Sequence, residues 1–394
     1  MSNSYKIGDR LDIKIEKIVP RGFGIGFAEK LTVLVPLAAP GDSVRVEIRE
    51  VKKRLAFAEL IEVLEPGPER IVPPCPIFGI CGGCDFQQLS YQAQLEAKVG
   101  IIRDCLTRIG KIDFTGEIDI IGSPMEFDYR SRARWHIDRE KKVIGYRKRN
   151  SHEVVDITGC PIAAPELKPV PGALHDKINW ELIFEDAEIE AAAGDNREVS
   201  IWSSEFGAAP ATVEAEFAGH TYQYNARTFF QANKSLTPKL IETAIGNLAG
   251  AMALDLYCGV GLFTLPLAQR FTEVTGVEGH RPSLDLAKKN AEAAGLSNVE
   301  FFREGVGQFL STVAEQQIDL VLIDPPRAGT EPGVVRRLAE LRPKHISYIS
   351  CEPSILARDL REFLDAGYSI VSITALDMFP QTHHVETVVH LEKN

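Results

Sequence analysis

The sequence predicts an α/β protein: a mostly parallel sheet in the C-terminal half, preceded by a small β-barrel and a mixed α+β segment. Three observations predict it. From about residue 235 the apolar runs "AMALDLY", "EVTGVE", "IDLVLID", "HISYIS" and "ETVVHLE" alternate with helical stretches such as 281–294 and 354–366. Strands separated by helices build a parallel sheet. Residues 5–65 instead alternate apolar and polar side chains with period two around "RGFGIGF", the pattern of a small barrel of short strands. Between these parts, "EPGPER" and "PPCP" break regular structure and place a boundary near residue 66. Leu95, Val99, Ile102 and Leu106 recur at helical spacing and predict a helix over 91–109. Residues 127–159 return to strand-like alternation, and 160–225 are mixed.

The totals narrow the function. A chain of 394 residues is long enough for several domains. It has no apolar run long enough to span a membrane and no signal-peptide core, so it is read as cytoplasmic, with no membrane partner and no obligate protein partner. Seven cysteines, an odd number without an export signal, favour metal or catalytic roles over disulfides. A net charge of -11 argues against indiscriminate nucleic-acid binding. The charge is uneven, however. From Asp128 to Arg149 nine Lys/Arg face three Asp/Glu, while from Trp180 to Glu216 ten acids face one base. Such a run is often only a solvated face.

"ALDLYCGVGLFTLPLA", 253–268, reads as a strand, a Gly-rich turn and a helix. Gly259 and Gly261 let the backbone approach a ligand. Thr264 stands where a dinucleotide fingerprint wants a third small residue. Glu278, at the end of the next strand, suits a ribose. S-adenosylmethionine fits better than NAD, since no pyrophosphate needs a cradle. The competing reading of Glu278 is a helix-initiating carboxylate.

"IDLVLIDPPRAG" ends a buried strand in Asp324-Pro325-Pro326. Methyltransferases acting on exocyclic amines follow such prolines with Tyr or Phe, whereas Arg327 follows here. Cys351 tops the next strand, so a thiol and a carboxylate would overhang one cleft. That pairing suits uracil. Its C5 is a poor nucleophile until a thiolate adds at C6, after which a base must remove the C5 proton. Glu386, in the apolar final strand, is the candidate base, because burial raises a carboxyl's pKa. The bland alternatives are a core cysteine at 351 and a water-facing edge residue at 386.

Four segments in this order, "DLYCGVGLFTLPLA", "DPPRAG", "ISCEPSILARDL" and "HHVETVV", together with "RTFFQANKSL" at 227–236, resemble the RNA uracil-5-methyltransferases. The resemblance spans most of the chain. It implies a Rossmann-like class I methyltransferase domain, an N-terminal OB-like (TRAM) β-barrel and a mixed α+β iron–sulfur central domain. The implied extents are 1–65 for the barrel, 66–90 and 118–225 for the central domain, and 91–117 and 226–394 for the catalytic domain. It implies Cys351 as nucleophile and Glu386 as base. Gln231, Tyr257, Glu278 and Asp324 would bind S-adenosylmethionine, and Phe229 would contact RNA. Cys75-x5-Cys81-x2-Cys84 plus Cys160 is more natural for an iron–sulfur cluster than for zinc, which prefers close pairs. The resembled subgroup holds a [4Fe-4S] cluster with this spacing. Arg130, Arg132 and Arg134, spaced by two, would share one strand face and grip phosphate.

The barrel with four cysteines looks most like enzymes of 23S ribosomal RNA, since transfer-RNA members usually lack both. The alternatives are a tRNA uridine enzyme, an amine methyltransferase using Asp324-Pro325-Pro326, and a non-catalytic cluster protein. An amine enzyme would survive loss of Cys351, and a non-catalytic protein would not bind the methyl donor.

Overall fold

The computed structural model describes residues 5–157, 159–183, 187–206, 209–314 and 316–394. The period-two alternation folds as a closed barrel of β1 (Arg10–Val19), β2 (Phe23–Ala28), β3 (Leu31–Val35), β4 (Ser43–Lys52) and β5 (Leu55–Glu65). The strand order is β1-β2-β3-β5-β4, and β4 closes onto β1. Ile13, Ile15, Val33, Val35, Val44 and Val46 point inward and fill it. In the turn between β1 and β2, Gly22 has φ +74, and a Cβ there would meet the His383 Cβ at 2.9 Å. Only glycine permits this approach, so the barrel rests against the loop that leads to Glu386.

Helix α1 (Tyr91–Cys105) begins at Ser90, whose side chain accepts from the Ala93 amide. The periodicity predicts it to 109, but at Leu106 the chain enters a π-helical turn that ends at Gly110. The buried face of α1 carries polar residues that the apolar spacing does not announce. Lys98 is fully buried, pairs with Asp377, and donates to the Phe379 carbonyl at 3.1 Å. Gln94 donates to Gln381 Oε1 at 3.0 Å and accepts from the Gln381 amide at 2.9 Å. An early helix thus grips the loop 377–385. Removing one member of a buried pair strands the other charge, at a cost of about 3–5 kcal/mol. Lys98→Met is therefore expected to lower unfolding free energy by about that much in urea titration, and Lys98→Met with Asp377→Leu to recover most of it. A single-variant loss below about 1 kcal/mol, the worth of a surface pair, would refute this reading.

β6 (Ile118–Ile121) joins the edge of the C-terminal sheet, so the catalytic body takes in residues expected to open the second central segment. The central sheet is antiparallel: β7 (Arg132–Asp138), β8 (Val143–Arg147), β9 (Val154–Asp156), β10 (Glu188–Ala193) and β11 (Val199–Trp202), ordered β11-β10-β7-β8-β9. Trp135, Ile137, Ile144 and Ile189 form its core. The hairpin of β12 (Val213–Phe217) and β13 (His220–Tyr224) packs into the C-terminal core instead. Phe230 stacks on Tyr224 at 4.2 Å and 8°. The catalytic body therefore starts before residue 226.

The remaining strands are β14 (Gly250–Leu256), β15 (Phe271–Val277), β16 (Val299–Phe302), β17 (Leu320–Ile323), β18 (His345–Ser350), β19 (Tyr368–Leu376) and β20 (Glu386–Lys393). The sheet order is β16-β15-β14-β17-β18-β20-β19-β6. All pairs are parallel except that β20 runs against both β18 and β19. Every residue of β17 is fully buried, as expected when helices cover both faces. The order reverses at β14 and β17, and ligands bind in the crevice beyond the carboxyl ends at such a point.

Candidate active site and four-cysteine cavity

Strand register brings the predicted chemistry together. Ile323 lies opposite Tyr348, and Ser350 lies opposite Thr387. One step further puts Asp324 at the end of β17, Cys351 at the end of β18, and Glu386 at the start of β20. Because β20 is antiparallel, its first residue sits at the same edge as its neighbours' last. Cys351 lies two residues before the helix Pro353–Asp365, whose amino end is capped by the Glu352 carboxylate.

Burial governs the electrostatics. The Cys351 thiol is pushed up to about 12 by burial and by the Glu386 carboxylate, while Arg327, in hydrogen-bond contact, opposes the rise. Glu386 is 4% exposed; burial and the neighbouring Asp324 hold its pKa well above the usual carboxylate range. Asp324 is raised too, by burial and then by Asp255. Arg327 is thus the cation of a cluster otherwise made of acids and a thiol. In the sequence Arg327 stands out only as a departure from an amine motif; its place three residues after Asp324, on a proline-fixed turn, is the available signal.

The Gly-rich turn carries φ +58 at Gly259 and φ +91 at Gly261. Glu278 accepts from the Gly259 amide at 3.1 Å and from the His280 amide at 2.6 Å. The second bond lies just ahead of the helix Arg281–Ala293, at the end of the strand before it, where the sequence places this carboxylate. Tyr257, with φ 65, bonds Glu331 through its hydroxyl. Gln231 is 2% exposed, and its Oε1 is a buried acceptor without a partner among the described residues. Asp255 Oδ1 is another, on a carboxyl pushed up to about 7 by burial. Buried orphans of this kind lack a partner that the fold itself supplies. Asp255 does not stand out in the sequence, because an acid inside an apolar strand gives no sign of its partner, here Thr264, which its other oxygen bonds.

Cys75, Cys81, Cys84 and Cys160 line one cavity with Arg130, Tyr146, Gln87 and apolar side chains. All four are free thiols. Burial pushes Cys84 up to about 12 and raises Cys81 and Cys160, each of which also feels other cysteines of the set. Among the described residues no three or more His, Cys, Asp or Glu are arranged to hold a metal ion. What the four thiols share is one cavity, the arrangement that an iron–sulfur cluster with one thiolate at each corner would need.

The arginine triplet does not form the expected phosphate grip. β7 starts only at Arg132. Arg130 lies before it and turns into the cysteine cavity. Arg132 donates to the carbonyls of Asn225 and Ala226 at 3.2 and 2.9 Å. Arg134 is exposed but already paired with Glu190 at 2.6 Å. Phe229 is 64% exposed beside the buried Phe230.

The sheet order, the two-glycine turn at its switch point and the thiol and carboxylates beyond the strand ends define a class I methyltransferase. The tRNA (Uracil-5-)-methyltransferase family matches residues 212–394. The TRAM domain of tRNA (uracil(54)-C(5))-methyltransferase matches residues 11–68. The 23S rRNA (uracil(1939)-C(5))-methyltransferase RlmD of Pectobacterium atrosepticum is 32% identical, covering 96% of this chain and 92% of its own. Its counterpart in Vibrio parahaemolyticus is 29% identical over 97% and 96%. The tRNA (uracil-54, C5)-methyltransferase of Pyrococcus abyssi, solved with S-adenosyl-L-homocysteine, superposes with a TM-score of 0.76 at 28% identity, covering 97% of this chain and 100% of that one. The chain belongs to the RNA uracil-5-methyltransferases. Its methyl donor is S-adenosylmethionine, and its substrate is RNA. The matching barrel model is named for a tRNA enzyme, so the barrel by itself does not separate rRNA from tRNA members. Among the described residues no helix is long and apolar enough to cross a membrane.

Proposed function

We propose that the chain methylates C5 of a specific uridine in folded 23S rRNA through a covalent bond from Cys351 to C6. The convergence of Cys351, Glu386 and Asp324 at one sheet edge carries this reading. S-adenosylmethionine supplies an electrophilic methyl group, for which Gln231, Tyr257, Glu278 and Asp324 form the pocket. Cys351 Sγ adds to C6, and the ring becomes an enolate with nucleophilic C5. Once C5 has taken the methyl group, Glu386 removes the C5 proton. The Cys351 thiolate then departs and the C5–C6 double bond re-forms. Arg327 stabilises the thiolate at both ends of this sequence.

That role has a pH signature. A thiol that rests protonated makes adduct formation faster as pH rises. Arg327→Met removes the cation, leaves the thiol still harder to ionise, and moves the alkaline limb to higher pH. Adduct formation with 5-fluorouridine RNA at neutral pH is expected to slow on the order of 10²-fold. An unchanged pH profile would exclude this role.

The target RNA enters across the barrel side. Arg21 lies over the Phe23 ring at 5.9 Å, Phe23 meets Phe57 edge-on at 5.9 Å, and Lys52 lies over Phe57 at 5.8 Å. Rings interleaved with cations stack bases and hold phosphates. With exposed Phe229, two residues before Gln231, this strip replaces the arginine triplet as the RNA-contacting set. The four cysteines hold a [4Fe-4S] cluster, which supplies a rigid cross-link between loops distant in sequence.

The 23S assignment rests on relatives that match nearly the whole chain. A tRNA target is the second reading, favoured by the structural neighbour. Mapping 5-methyluridine in both RNAs from cells with and without the gene decides between them. Loss from 23S rRNA alone supports the proposal, and loss from tRNA alone replaces it.

A further inference from the structure

We infer that Arg130 couples the four-cysteine cavity to the methyl-donor pocket, through its side chain on one side and its main chain on the other. The inference rests on the cluster reading above. Four thiolates outweigh the charge of an iron–sulfur core, so the loaded cavity holds a buried anion. A buried anion needs a counter-charge. Arg130 is the cationic side chain in the cavity lining, and its Nε is buried without a partner among the described residues. Nearby Arg149 also has an unpartnered buried Nε among the described residues, but it is not part of the cavity lining and its terminal nitrogens bond Asp85 at 3.0 Å and the Cys84 carbonyl at 2.6 Å.

The main chain of the same residue is a splint. The Arg130 amide donates to the Ile162 carbonyl at 2.8 Å, and its carbonyl accepts from Ala164 at 2.9 Å. These bonds hold the loop just after Cys160. The next residue, Ser131, donates to the Ala232 carbonyl through its amide at 2.8 Å and its hydroxyl at 2.9 Å. Ala232 directly follows Gln231. Two residues therefore tie a cluster-bearing loop to the segment carrying a buried unpartnered acceptor of the donor pocket. Arg130 is a positioning residue, not a catalytic one.

The test uses full-length protein prepared anaerobically, with iron and sulfide assays first. Wild type, Arg130→Lys and Arg130→Met are compared by dithionite titration followed by electron paramagnetic resonance, and by the rate of iron loss to a chelator. Arg130→Met is expected to load iron, to reduce at a more negative potential because the counter-charge is gone, and to lose iron about tenfold faster. Arg130→Lys should lie between it and wild type.

Hydrogen exchange on wild type, loaded and stripped, does not depend on any variant folding. Stripping is expected to speed exchange across residues 228–234 and to weaken binding of S-adenosylhomocysteine about tenfold. Residues 368–376 at the sheet's far side should not change. An iron-loaded Arg130→Met with wild-type potential and iron-loss rate, or unchanged exchange at 228–234 on stripping, overturns the inference and leaves the cluster reading standing. Wild type free of iron and sulfide after reconstitution overturns both.

Discussion

Cys351→Ala is expected to bind S-adenosylhomocysteine as wild type does and to transfer methyl groups at least on the order of 10⁴-fold more slowly. The reason is chemical. Uracil C5 is not nucleophilic enough to attack a methyl sulfonium until C6 is saturated, and nothing else at this sheet edge can add there. Asp324 is a carboxyl raised by burial and by Asp255, Glu386 is one raised by burial and by Asp324, neither is a match for a thiolate as a carbon nucleophile, and Arg327 is a cation. The side chain is only partly buried, so truncation leaves little cavity and the protein should fold. Single-turnover methyl transfer to RNA checks the prediction. An enzyme working on an exocyclic amine would keep its rate, because its Asp-Pro-Pro segment would be intact.

Glu386→Gln should show a different failure. The amide keeps the volume and can hydrogen-bond, but it cannot take a proton. Addition and methyl transfer proceed, and elimination stalls. Turnover is expected to fall about 10²–10⁴-fold, with a methylated covalent protein–RNA species accumulating on ordinary uridine RNA. Denaturing gels with a labelled methyl donor read it directly. Stability should move the other way. A carboxyl whose folded pKa is raised above its unfolded value binds more protons folded than unfolded. It therefore destabilises the fold progressively as pH rises above the unfolded value of about 4.3. Glu386→Gln removes that penalty. Its thermal midpoint at neutral pH should equal or exceed that of wild type, and the difference should vanish in acid below about pH 4. A variant both inactive and less stable would point to a packing role instead.

What could be read along the chain was local. Cys351 was legible because an apolar run, a thiol, a proline and a helical segment follow one another within a few residues. The barrel was legible because period two leaves one face for the core. Direction and partnership were not. Nothing in "ETVVHLE" says that β20 runs backwards, yet that reversal is what brings Glu386 to the end of the sheet where Cys351 sits. Lys98 reads as a surface lysine because its partner, Asp377, is 279 residues away. The arginines at 130, 132 and 134 have strand spacing, but the strand begins at the second of them. Arg130 is taken up by the cysteine cavity, and Arg132 by backbone carbonyls. β6 and the β12–β13 hairpin carry too few residues to reveal which core they complete. Only tertiary packing assigns them to the catalytic body.

The covalent step is the claim on which the mechanism stands. Wild-type protein incubated with S-adenosylmethionine and an RNA substituted with 5-fluorouridine cannot lose the C5 substituent as a proton, so the reaction halts after methyl transfer. Digestion and tandem mass spectrometry should find a methylated fluorouridine nucleotide attached to the peptide containing Cys351, at its sulfur. A preparation that methylates ordinary RNA yet yields no such adduct, or carries the nucleotide on another residue, would contradict the account.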